Sequence, residues 1–380
     1  MNLDYETLKL IWWLFIGLLL IGFAIMDGFD MGVGTLLPFI GRSDEERRVL
    51  LNAIGPTWEG NQVWFVTAGG ALFAAWPLVY ATAFSGFYFA LLLVLFALFL
   101  RPVGFDYRSK LPDPRWRSAW DWGLFIGGAV PALLFGVAFG NLLQGVPFHF
   151  DADLRSYYTG SFWGLLNPFA LLAGIVSLSM LVMHGAVYLQ MRTEAAIAER
   201  CKNAIVIFAA ILLISFAAAG LWTALGIDGY SIISIGALDA DPNPLRKTVE
   251  QSTGGWLENY SVFPWLWLIP TLVFVMTLLA VWLSRISRPG IAFISSSVVV
   301  ACVILTAGFS MYPFLLPSSS APSNSLTIWD SSSSFTTLKI MFWATLFFLP
   351  IVIAYTSWVY RVLRGKVTVE KIRTNQHTAY

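Results

Sequence analysis

Charge is scarce in this chain. Only 12% of its 380 residues are Asp, Glu, Lys or Arg, about half the share of a soluble domain. The net charge of +1 carries no basic tract long enough for nucleic acid and no bias toward an acidic substrate. Cysteine is nearly absent: Cys201 and Cys302 lie far apart with no CxxC and no neighbouring His, which leaves neither a disulfide framework nor a thiolate metal site. Histidine is as rare, with His149, His184 and His377, too few to supply axial ligands to several haems. The chain has no GxxxxGK[ST] loop, no GxGxxG after a strand, no HExxH and no nucleophile elbow, so ATP-driven transport, Rossmann redox chemistry and zinc proteolysis lack their usual residues. A chain this poor in chemistry reads as a subunit of something larger.

What it has in excess is apolar sequence, 57% of all residues. Crossing about 30 Å of hydrocarbon takes ~20 apolar residues, and runs of that kind lie near 8–28, 50–75, 78–100, 122–143, 163–190, 203–226, 262–284, 290–311 and 337–361. The first run has no positive leader and no small-residue cleavage site, so it is expected to be a retained span. The expected fold is therefore all-α, one polytopic membrane domain over residues 1–380 with about nine transmembrane helices. Most of the 23 Lys and Arg residues fall in one alternate set of connections, around Arg42 to Arg48, Arg101 to Arg117, Arg192 to Lys202, Arg285 to Arg288, and the tail after Arg361. The positive-inside rule then places the N-terminus outside and the C-terminus inside. Trp12, Trp13, Trp76, Trp120, Trp122 and Trp358 fall near span ends, where interfacial belts or packing use them.

The second run is broken by Pro56, Gly55 and Gly60 and carries Glu59, Asn61 and Gln62. A carboxylate at membrane depth costs roughly 2.5 to 3.5 kcal/mol, so a chain that keeps one there uses it for proton or ion traffic or buries it against polar neighbours. Asn52, Pro56, Glu59 and Val63 follow helical spacing and are expected on one face. The plainer alternative is a carboxyl hydrogen-bonded to Asn61, Gln62 or freed backbone for packing. Asp27 and Asp30, three residues apart among Gly28, Gly32 and Gly34, share a helical face that a second helix can approach closely; solvated caps, a proton entry or a partner contact all fit them. Arg101 and Asp106 bracket a Pro-Val-Gly-Phe turn and are expected to pair or to meet neighbours, with Asp106 able to feed protons toward Glu59.

These residues also carry a resemblance. Asp27-Gly28-Phe29-Asp30-Met31-Gly32, Trp58-Glu59-Gly60-Asn61-Gln62-Val63-Trp64, Phe84-Ser85-Gly86-Phe87-Tyr88, Arg101-Pro102-Val103-Gly104-Phe105-Asp106-Tyr107-Arg108 and Leu326-Thr327-Ile328-Trp329-Asp330 closely resemble subunit II of the cytochrome bd ubiquinol oxidases, a group that includes the cyanide-insensitive oxidases. The likeness extends over nearly the whole chain.

The resemblance implies a multi-pass subunit of the bacterial cytoplasmic (inner) membrane, without haem of its own. Its partner, subunit I, would hold low-spin haem b, high-spin haem b and haem d, oxidise quinol on the outer side and reduce dioxygen to water. It further implies that Glu59 and Asp106 lie on the route delivering cytoplasmic protons, with Arg101, Asp27, Asp30, Asn61 and Gln62 in support. A small single-helix accessory subunit, surrounding membrane lipids and a structural quinone are compatible with it. The family often carries Asp where Glu59 stands, so the acidic arm here is one methylene longer. The rival reading from another class is a proton-coupled secondary transporter, which would call for paired interrupted spans in an inverted repeat.

Overall fold

The computed structural model describes residues 4–374. In chain order the helices are α1 (Tyr5–Ile40), α2 (Asp44–Ile54), α3 (Trp58–Ala75), α4 (Pro77–Gly86), α5 (Tyr88–Tyr107), α6 (Pro114–Gln144), α7 (Phe162–Leu165), α8 (Pro168–Arg192), α9 (Ala195–Gly226), α10 (Glu258–Val262), α11 (Leu268–Arg285), α12 (Pro289–Met311), α13 (Phe335–Val362) and α14 (Val369–Thr374). Three short antiparallel hairpins decorate the connections: β1 (Phe148–Phe150) with β2 (Ser156–Tyr158), β3 (Asp228–Ile235) with β4 (Lys247–Thr253), and β5 (Phe314–Leu316) with β6 (Leu326–Thr327). The fold is helical, as the apolar runs predict.

Eight helices among the described residues are long and apolar enough to cross a membrane: α1, α5, α6, α8, α9, α11 with its preceding turn from Pro264, α12 and α13. The second run, expected as one span interrupted by Gly55 and Pro56, is divided there into two helices. Gly55, Pro56 and Thr57 form a turn, α2 ends at Ile54, and a new helix of 18 residues starts at Trp58. Asn52 is therefore on α2, where its amide donates to the carbonyl of Arg48, and it shares no face with Glu59. The third run is broken too, at Phe87 between α4 and α5.

α3 nevertheless runs antiparallel to α1 along most of its length. Asn61 meets Asp30, Phe65 packs on Phe23, Trp64 covers Gly22, and Ala75 joins the cluster around Leu8 and Trp12. α5 returns, stacking Phe105 on Trp58 at 5.0 Å.

Helix contacts at the centre depend on missing side chains. A Cβ on Gly32 would lie 2.2 Å from the Leu181 carbonyl oxygen, and one on Gly128 would lie 2.4 Å from that of Met31. α1 therefore touches α8 and α6 backbone to backbone, the close approach expected around Gly28, Gly32 and Gly34.

The two ends of the bundle are closed differently. At the end holding the start of α1, connections fold over the helices. Lys9, wholly buried, donates to the carbonyls of Leu238 and Trp329, and Lys247 pairs with Asp330 at 2.8 Å. Burial depresses the Lys247 ammonium below its ordinary range against the opposing pull of Asp330. Trp12 and Trp76 are plugs in this cap and not belt residues: both are buried, and their indole N–H groups donate to Leu338 and Ile328 carbonyls. Trp122 and Trp358 are exposed, as a belt requires.

At the other end a lattice of ion pairs joins the connections. Asp121 takes Arg108 at 2.5 Å and Arg47 at 2.7 Å, Asp44 takes Arg108 and Arg117, and Glu46 takes Arg200.

Candidate functional site

Four helices place a charged and polar cluster inside the bundle. Asp27 and Asp30 lie on one face of α1, both buried. Arg101, two turns before the end of α5, grips Asp27 with both terminal nitrogens at 2.9 and 2.5 Å, and its guanidinium lies over the Trp58 ring at 5.5 Å. Arg101 and Asp27 are 3% and 0% exposed, so this pair is screened by almost no solvent. Asp30 Oδ2 accepts from the Asn61 amide at 2.8 Å, and Asn61 Oδ1 accepts from the Tyr360 hydroxyl at 2.7 Å. Asp30 Oδ1 has no hydrogen-bond partner among the described residues and borders a cavity of about 10 Å³ between Arg101, Phe105 and Leu124, the scale of one water molecule.

Of the two expectations for Arg101, pairing with Asp106 or meeting another neighbour, the structure has the second: Arg101 pairs with Asp27 and not with Asp106. Five residues along a helix turn through roughly 140° beyond one full turn, so the two side chains leave α5 on different sides. Arg101 points inward to Asp27, whereas Asp106 is exposed. The same geometry separates Glu59 from Asn61: two residues apart they leave α3 on opposite faces. Asn61 is buried against Asp30 while Glu59 is exposed at the edge of the chain, so the packing alternative of Glu59 bonded to Asn61 does not hold. Gln62 is half-buried.

Glu59 heads an exposed stripe of α3 that continues through Val63 (56% exposed), Val66 (68%) and Phe73 (58%). Asp106 closes a similar stripe of α5 with Phe96, Phe99 and Val103. The stacked rings of Trp58 and Phe105 hold the first turn of α3 beside the last turn of α5, which brings the helix ends that carry the two acids to one depth. That depth is level with Asp30, ten residues before the end of α1 or roughly 15 Å at 1.5 Å per residue. α13 is the barest span: Ile340, Trp343, Phe347, Phe348 and Ile351 are exposed along it.

His184 is fully buried, with Nδ1 2.8 Å from the Ser296 hydroxyl and Nε2 donating to the Ile25 carbonyl at 3.0 Å. Both ring nitrogens are engaged within the protein. His149 stacks on Tyr157 in the first hairpin, and His377 lies outside the described residues. Among the described residues no group of His, Cys, Asp and Glu could hold a metal ion. Tyr360 is the participant that sequence reading missed, because nothing local to α13 announces a partner almost three hundred residues away. The Asp44–Asp121 lattice was missed for the same reason.

A many-spanned helical bundle with an interior ion pair and a wide apolar exterior is a multi-pass membrane protein built to sit in an assembly. The chain belongs to the cytochrome bd terminal oxidase subunit II family, whose model matches residues 8–363. It is 54% identical over 378 residues to the cytochrome bd-I ubiquinol oxidase subunit 2 of Escherichia coli (strain K12), covering 100% of both chains. It is 53% identical to a probable cytochrome oxidase subunit 2 of Haemophilus influenzae, again over the whole of both. The cytochrome bd ubiquinol oxidase subunit 2 of Bacillus subtilis is 30% identical over 94% of this chain and 96% of its own.

In structure the chain resembles the bd oxidase from Geobacillus thermodenitrificans, with a TM-score of 0.67 at 18% identity over 94% of this chain and 98% of that one, a likeness of fold. Membership makes the chain a subunit of a membrane oxidoreductase complex that contains haem and a subunit 1 partner. The transporter alternative is thereby set aside.

Proposed function

We propose that this chain is the haem-free subunit of a quinol:dioxygen oxidoreductase in the bacterial cytoplasmic membrane, one membrane domain that scaffolds the haem-bearing subunit I and conducts protons from the cytoplasm. Glu59 is the relay and Asp106 the inner donor. The observation that carries this reading is an acid at the head of an apolar, exposed stripe. Against lipid Glu59 would cost several kcal/mol, so the face it belongs to calls for a polar counterpart or water held by a partner chain. Asp106 beside it extends the polar margin toward the arginine-rich end.

Taken as a crossing, α3 brings the spans to nine, with the N-terminus outside and the arginine-rich end inside. Dioxygen reduction would then take its protons from the inside while quinol releases its own outside. Each charge so separated is worth about 2.3 kcal/mol per 100 mV without a pump. The haems, both b-type and d, belong to subunit I in this reading, and they supply the oxygen chemistry. Asp27, Asp30, Arg101 and Asn61 act as a rigid interior brace behind α3 and α5, which corrects the expected tuning of Asp106 by Arg101; Gln62 borders the relay.

The test is Glu59→Gln in the assembled oxidase with unaltered haem spectra. Loss of one proton-transfer group is expected to slow oxygen uptake about a hundredfold, and Asp106→Asn, at the wetter margin, to slow it less. Full oxygen uptake with an unchanged membrane potential in Glu59→Gln would end the relay reading.

A further inference from the structure

At the arginine-rich end a cavity of about 360 Å³ opens between the end of α2 with its following turn, the end of α8, and the end of α13 with the chain leaving it. Its walls are mainly apolar, from Ala53, Pro56, Met191 and Leu363. The two tyrosines lining it have already spent their hydroxyls, Tyr188 on the Ala53 carbonyl and Tyr360 on Asn61. Thr57 also lines it and donates its hydroxyl to the Ile54 carbonyl; the other polar side chains are cationic, Arg192, Arg364 and Lys366, and no Asp or Glu among the described residues joins them. Elsewhere at this end Arg47, Arg108, Arg117 and Arg200 are each matched to a carboxylate. None of the three cavity cations makes an ion pair among the described residues, and Arg192 Nε is buried with no hydrogen-bond partner.

The placement of these cations is built into the chain. The Val367 amide donates to the Arg192 carbonyl at 2.8 Å, and Gly365, at φ +117°, makes the bend that carries Arg364 and Lys366 to the rim. Beside the mouth the last turns of α13 expose Trp358 and Val362, 60% and 61% accessible.

We propose that this cavity binds the phosphate-bearing headgroup of an anionic phospholipid. The phosphodiester meets Arg192, Arg364 and Lys366, the glycerol region fills the apolar walls, and the acyl chains lie along α13. Apolar walls with a cationic rim at a membrane boundary match an amphiphile better than free phosphate, which would ask for polar walls on every side. The site is separate from Glu59 and Asp106 and does not depend on the proton-relay reading.

The experiment uses the assembled oxidase in phosphatidylcholine bilayers with and without phosphatidylglycerol, followed by native mass spectrometry of retained lipid. The double variant Arg364→Gln/Lys366→Gln alters two exposed side chains, so folding is spared. Each cation removed is expected to weaken phosphatidylglycerol retention about fivefold, on the order of 25-fold for both. Phosphatidylcholine retention and oxygen uptake in phosphatidylcholine alone should not change. Equal phosphatidylglycerol retention by wild type and double variant overturns the proposal. Displacement of the lipid by inorganic phosphate at matched concentration also overturns it, by making the site one for a free anion.

Discussion

Replacing Arg101 by Gln would leave two carboxylates, Asp27 and Asp30, buried at the contact of α1 with α5 and α6, and no cation to face them. In the native bundle Arg101 closes a two-point bond to Asp27 at 2.9 and 2.5 Å with both groups almost entirely excluded from solvent. Forming such a pair brings little net gain, because both ions must first be stripped of water; breaking it by removing one partner costs about 3 to 5 kcal/mol. That is two to nearly four powers of ten in the folded-to-unfolded ratio.

The surface pair Arg155–Asp153, with 71% and 74% exposed side chains at 3.8 Å, is the internal control and is worth about 0 to 1 kcal/mol. The assay is unfolding of the assembled oxidase by denaturing detergent, run as a cycle of Arg101→Gln, Asp27→Asn and the double variant. The expected result is a heavy cost for Arg101→Gln and partial recovery in the double variant, with a coupling of about 2 kcal/mol. A cost for Arg101→Gln no larger than that of Arg155→Gln would refute the reasoning, as would single costs that simply add.

The spans were legible because their signal is local: an apolar run of sufficient length admits almost no alternative in hydrocarbon, where every backbone group must be paired within the helix. The acids were legible as residues for a related reason, since any carboxylate in such a run stands out. Their directions were harder. The spacing of Asp27 and Asp30 correctly put them on one face, and the same helical arithmetic applied to Arg101 and Asp106, or to Glu59 and Asn61, separates them, although nearness in sequence suggested pairing. Partners from distant helices left no local trace at all. Tyr360 reaches Asn61, Arg101 reaches Asp27, and Lys9 reaches the carbonyls of Leu238 and Trp329, each fixed only once the helices pack. The break at Gly55–Thr57 was announced by Gly55 and Pro56, whereas the one at Phe87 came from turn geometry that hydropathy smooths over.

Two further outcomes follow from this packing. Glu46 is held below its ordinary pKa of 4.5, first by the hydrogen bond from Arg200 and then by the backbone amide of Arg42. A carboxylate with a depressed folded-state pKa stabilises fully above its unfolded value and loses that contribution as the pH falls through the folded one. Stability measured from pH 6 downward should therefore begin to drop near pH 4.5, and Arg200→Gln should flatten that drop while lowering the plateau; an identical pH profile in the variant would contradict the assignment. Gly32→Ala tests the backbone contact of α1 with α8. Its methyl carbon would begin 2.2 Å from the Leu181 carbonyl oxygen and 3.0 Å from Gly185 Cα, and both obstacles are main chain, which cannot swing aside as a side chain can. The helices must separate, and because Asp27 and Asp30 lie on α1 within the two preceding turns, the Arg101 and Asn61 bonds open with them. The expected result is low yield of assembled oxidase together with a loss at least as large as the ~1 to 3 kcal/mol of an overpacked core. Gly220→Ala on α9, where a Cβ meets nothing within 4 Å, should leave assembly intact, and equal behaviour of the two alanine variants would show that close backbone approach is not what holds α1 in place.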